Sequence, residues 1–121
     1  MRYAATLALI FAILASTFPA ASAATRTAQA VRIDGNYAVT GVNPNGTTYR
    51  GTVVIQGDGT NYRFNWLISS GDTFTGTGIL NGDTIVVDWG QRYPVIYRVG
   101  TDGVLHGTWD DGRATETLVP Q

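Results

Sequence analysis

The residues able to do chemistry are few and far apart. The sequence holds one His (His106), one Glu (Glu116), eight Asp, and no Cys or Lys. Alternation in the run Val104–Trp109 turns His106 outward, and a lone outward imidazole is an ordinary surface residue before it is a base. Beyond residue 23 the only serines are Ser69 and Ser70, in a turn. A Ser–His–Asp relay drawn through Asp72 or Asp88 lacks the spacing of a nucleophile elbow. Asp110-Asp111 would be a carboxylate pair for glycoside hydrolysis, but Asp-Asp-Gly is the composition of a turn. Gly57-Asp58-Gly59 and Thr101-Asp102-Gly103 do not alternate oxygen ligands as a calcium loop does. Without Cys there is no disulfide, zinc ribbon or thiol nucleophile. Asn45-Gly46-Thr47 matches a glycosylation sequon, a weak signal by itself. The expectation is a protein that is not an enzyme, with no catalytic residue, metal or cofactor. A hydrolase or isomerase would need a perturbed cluster around Glu116 or His106 in a cleft.

Glu116 is the charged group that stands out. It lies two residues before Leu118 and so shares that residue's face. An inward carboxylate must be paired or hydrogen-bonded, by Arg, Tyr or Trp of a neighbouring strand. It then serves either as a ligand-orienting group or as a structural tie closing the fold, and the sequence favours the tie. Tyr37, Trp66, Trp89, Tyr97 and Trp109 share the inward face. They either line a small apolar pocket with Glu116 or fill the interior. A domain this small spares little core volume, which favours filling. On the opposite face Arg50, Arg63 and Arg98, with Arg92 in a turn, are candidates for contacting a partner, since Arg anchors interfaces.

These residues must be positioned by strands. Turn signals such as Asn43-Pro44-Asn45-Gly46, Ser70-Gly71-Asp72 and Asn81-Gly82-Asp83 arrive about every ten residues. They divide eight runs near Asn36–Val42, Thr47–Gln56, Asn61–Ser69, Thr73–Leu80, Thr84–Trp89, Pro94–Val99, Val104–Trp109 and Ala114–Val119. The runs are rich in Val, Ile, Thr and aromatics and alternate apolar with polar. The prediction is an all-β fold, an eight-stranded antiparallel meander closing into a small barrel, which leaves no exposed edge. Inward glycines would let its strands bend at the corners. A two-sheet sandwich is the alternative.

The first residues read as an address. Met1-Arg2 precedes an apolar run from Tyr3 to Ser16, a break at Thr17-Phe18-Pro19, and Ala21-Ser22-Ala23, the three-part pattern of a secretory signal peptide. The run is too short to span a bilayer. The expected organisation is a signal over 1–23, a loose arm over 24–33 and one barrel over 34–121, exported and free of the membrane after cleavage. The 121 residues carry a net charge of −1, which gives no basic surface for nucleic acid.

The order of the motifs carries a resemblance. Tyr37-x-Val39-x-Gly41-x-Asn43-Pro44-x-Gly46-x-x-Tyr49-x-Gly51-x-Val53-x-Ile55 resembles a family of small exported bacterial proteins, often labelled fibronectin-binding. So do Tyr62-x-x-x-Trp66, Phe74-x-Gly76-x-Gly78, Leu80-x-Gly82-Asp83, Asp102-Gly103-x-Leu105-x-Gly107-x-Trp109 and Glu116-x-Leu118-x-Pro120. The likeness covers almost all of the chain after the signal, and it implies adhesion to an extracellular matrix protein such as fibronectin. The strand style is also similar to avidins and lipocalins in architecture, which implies a carrier of a small apolar ligand in the barrel. Surface contact with a protein partner is the leading expectation and the carrier its alternative. The oligomeric state is not encoded in any motif.

Overall fold

The computed structural model describes residues 32–121; the expected signal, and the expected arm up to residue 31, lie outside the described residues. Eight strands follow one another: β1 (Gly35–Val42), β2 (Thr48–Gly57), β3 (Asn61–Ile68), β4 (Thr73–Asn81), β5 (Thr84–Asp88), β6 (Val95–Val99), β7 (Leu105–Trp109) and β8 (Ala114–Pro120). Each pairs antiparallel with its neighbour, and β8 returns to β1, so the sheet is a closed barrel. This is the predicted meander, and closure removes the sandwich alternative. The boundaries fall within a residue of the expected runs because the turn chemistry sets them. Asp110 and Asp111 both adopt left-handed backbone before Gly112, and the Asp110 carbonyl accepts from Arg113 N. The Asp pair is therefore a turn.

The period of two divides the side chains cleanly. Val39, Val53, Ile55, Phe64, Ile85, Val87, Tyr97, Leu105 and Leu118 are buried, while Arg50, Arg63, Arg92, Arg98 and His106 are exposed. Phe64 sits at the centre, stacked on Trp66 at 5.4 Å and on Tyr97 at 5.6 Å between ring centroids.

The two ends differ. At the end where β1 begins, Ile33 plugs the barrel: it is 1% exposed, and its carbonyl accepts from the Tyr37 hydroxyl at 2.7 Å. Ile33 thus belongs to the packed domain rather than to a loose arm, because an apolar side chain at the open end of a barrel gains more from covering the core than from solvent. At the end bearing the β1–β2, β3–β4, β5–β6 and β7–β8 turns, the interior opens into a cavity of about 760 Å³. The barrel is therefore packed at one end and open as a cavity at the other, which departs from the expectation of a filled interior.

Candidate functional site

Glu116 lies on the floor of this cavity and is 7% exposed. Its Oε1 accepts from the Tyr49 hydroxyl at 2.9 Å. Its Oε2 accepts from Trp66 Nε1 at 3.3 Å and, through a short bond, from the Tyr97 hydroxyl. All three donors are neutral, and no Arg is among them. Glu116 thus joins β8 to side chains of β2, β3 and β6, none of them its sheet neighbours β1 and β7.

The strand register explains how they reach it. Across five strands one row reads Tyr97, Gly107, Glu116, Gly41, Tyr49. Each Tyr is two strand spacings from Glu116, about 10 Å, and must lean over the residue between. A Cβ at Gly41 would overlap the Tyr49 ring, and a Cβ at Gly107 would lie 2.6 Å from the Tyr97 ring. The two glycines are thus the space through which the two phenols converge on one carboxylate. The inward glycines were expected to serve bending at corners; at these two positions they clear a path for a ring.

Burial drives the electrostatics. Removal from water pushes the Glu116 carboxyl above its ordinary value, and the bonds from Tyr97, Tyr49 and Trp66 oppose that rise. Burial first, then the charge of Glu116 and the bond to it, hold the Tyr49 phenol well above its ordinary value. The same causes, in the same order, raise Tyr97. Both phenols therefore stay protonated and act as donors.

The cavity wall is aromatic. Phe74, Trp89, Trp109 and Tyr49 form a chain of edge-to-face pairs around the mouth, with centroids 5.9, 5.7 and 6.3 Å apart. Trp109 Nε1 donates to the Tyr49 hydroxyl at 3.0 Å, and Trp89 Nε1 to the Tyr93 carbonyl at 2.9 Å. The indole nitrogens are thereby satisfied and the rings are left to present apolar surface. Phe74 is 41% exposed, a large apolar group held at the rim.

Of the expected interior residues, Trp66, Trp89, Trp109 and Glu116 line the cavity, and Tyr97 lies fully buried as a donor to Glu116. Tyr37 does not join them. It sits at the plugged end because β1 enters the barrel there. The sequence reading missed Tyr49 and Phe74 as site residues. Tyr49 has the parity of the inward Gly51, Val53 and Ile55, so alternation carried one residue pair further would have found it. The four arginines are exposed but not gathered: Arg50, Arg63 and Arg98 lie on β2, β3 and β6, and Arg92 in the β5–β6 turn. His106 faces outward between Arg98 and Thr117.

No protein-family model matches the chain, and no curated protein does either. Solved structures do. A redesigned β-barrel, b11L5F_LGL, is 23% identical with a TM-score of 0.52, covering 74% of this chain and 91% of that one. A second redesigned β-barrel, mFAP0, bound to DFHBI, is 25% identical with a TM-score of 0.50, covering 72% of this chain and 97% of that one. What the chain shares with these structures is the small closed β-barrel.

Proposed function

We propose that this chain is an exported, non-catalytic barrel that holds a small, largely apolar ligand in its open mouth, with the buried end of the ligand donating a hydrogen bond to Glu116. The observation that carries this is the cavity at the open end of the barrel: its volume falls in the range of small-molecule sites, roughly 300–1,000 Å³, its wall is aromatic, and one polar group stands at its floor. A small domain that gives up core volume and keeps Phe74 exposed forgoes stability that a filled interior would supply. The redesigned barrel bound to DFHBI supports the same mode, since it is a barrel of this architecture with a small molecule bound. The apolar run Tyr3–Ser16 and the Ala21-Ser22-Ala23 site support export.

All three Trp of the sequence line the cavity, so binding is visible in their emission. N-phenylnaphthylamine, a neutral apolar probe with one N–H, is expected to bind saturably at one site per chain and to quench the indoles. No saturable binding, or binding unchanged in a Phe74→Ala, Trp109→Ala variant, would overturn the proposal.

A second proposal, adhesion to a matrix protein such as fibronectin, is supported by an outer apolar row. Ile79, Val86 and Ile96 are direct neighbours across β4, β5 and β6 and are 58%, 46% and 43% exposed. Arg63 and Arg98 lie on the same outer face, on the flanking stretches of β3 and β6. Immobilised fibronectin should then retain the protein, and an Ile79→Asp, Ile96→Asp variant should pass through. Failure to retain the unmodified protein at high concentration removes this proposal.

A further inference from the structure

The floor of the cavity carries a charge that no cation of the described residues neutralises. The ion pairs among those residues are Arg32 with Asp34 and Arg113 with Asp110, and neither touches the cavity. Arg50 and Asp72 line the mouth, but both are exposed at its rim and opposite in sign, which leaves Glu116 as the net charge of the site. The Glu116 partners are two phenols and an indole, all neutral donors. The carboxylate also has acceptor capacity left. Two oxygens accept about four bonds; Oε2 takes two, from Trp66 and Tyr97, and Oε1 takes one, from Tyr49.

Any ligand that fills the mouth displaces the water that screens this charge. A neutral donor offers the carboxylate a hydrogen bond but no countercharge, and an anion would be repelled by it. A cation meets the reverse on every side: the carboxylate below, and the negative faces of indole and phenyl rings around it. We infer that the ligand is a small organic ammonium ion, with its N–H directed to Glu116 Oε1 and its apolar body held among Phe74, Trp89 and Trp109. This rests on the proposal that the mouth is a ligand site, and it names the class of ligand.

The test compares two probes of one shape, adamantylmethylammonium and adamantylmethanol, by titration calorimetry and indole emission at about pH 8, where the amine is protonated. The ammonium probe should bind about tenfold more tightly than the alcohol, the difference between a charge-assisted and a neutral hydrogen bond to the carboxylate, and Glu116→Gln should remove most of that preference. Equal binding of the two overturns the cation assignment and leaves the ligand site standing. A preference that survives in Glu116→Gln overturns the role given to that carboxylate. No response to either probe overturns the cation assignment, and N-phenylnaphthylamine binding then decides separately whether a ligand site remains. Should Glu116→Gln fail to fold, the comparison on the unmodified protein still decides the charge preference. Phe74→Ala, at an exposed position, then tests the location by weakening the ammonium probe.

Discussion

Gly41 and Tyr49 face each other across β1 and β2, and the phenol ring of the one occupies the place where the other would carry a side chain. Gly107 and Tyr97 repeat the relation on β7 and β6. Glu116 lies beside both glycines, so the two phenols arrive at its carboxylate from opposite sides. The site is thus built by absence at two positions and by reach at two others.

Gly41→Ala should cost about 1–3 kcal/mol, the usual effect of forcing bulk into a packed contact, because the new methyl meets the Tyr49 ring. In a Tyr49→Ala background the same change should cost far less. Denaturant unfolding of the four proteins measures the coupling; additive costs would contradict the account.

Tyr97→Phe should destabilise the fold by about 1–3 kcal/mol, since it takes a donor from a buried carboxylate. The Glu116 carboxyl should then titrate higher still, followed by carbon NMR of the labelled side chain. An unmoved titration would show that the Tyr97 bond contributes nothing to holding the charge.

The pH dependence has a definite sign. Glu116 is raised in the fold above its ordinary 4.5, so in the window above that value the folded state holds more proton than the unfolded chain. The Glu116 contribution is therefore full below about 4.5 and is lost as pH rises through the folded-state value. Glu116→Gln should flatten that decline, measured as the difference in unfolding free energy between the two proteins across the window. An unchanged slope would place the origin in another group.

Ile33→Ala should cost about 2–4 kcal/mol, as for truncation of a buried aliphatic, although Ile33 precedes the first strand. Thermal unfolding measures it. A change within the noise would mean that the plug contributes nothing to stability.

Much of the fold was legible because closed antiparallel sheets are local objects. Asn-Gly and Asp-Gly turns fix where strands end, and a period of two fixes which residues point inward, so the inward placement of Trp66, Tyr97 and Leu118 follows from spacing alone. Glu116 was also marked, as the sole Glu sharing the face of Leu118. What spacing cannot carry is depth along the barrel. Tyr37 and Trp109 share the inward face, yet one lies at the plug and the other at the mouth, and only the register across all eight strands separates them. The hollow was illegible for the same reason. It depends on Ile33 closing one end and on Phe74, Trp89 and Trp109 packing against one another at the other, rather than across the interior.

The most direct test is a proton–nitrogen correlation spectrum of the labelled protein with and without N-phenylnaphthylamine, read at the three indole N–H signals. Trp66 donates to Glu116, Trp109 to Tyr49 and Trp89 to Tyr93, so each reports a different part of the cavity. The account predicts that Trp66 and Trp109 shift strongly while amides beside Ile33 and along Ile79, Val86 and Ile96 stay in place. Shifts confined to that outer row, or indole signals that do not move at saturating probe, would contradict it.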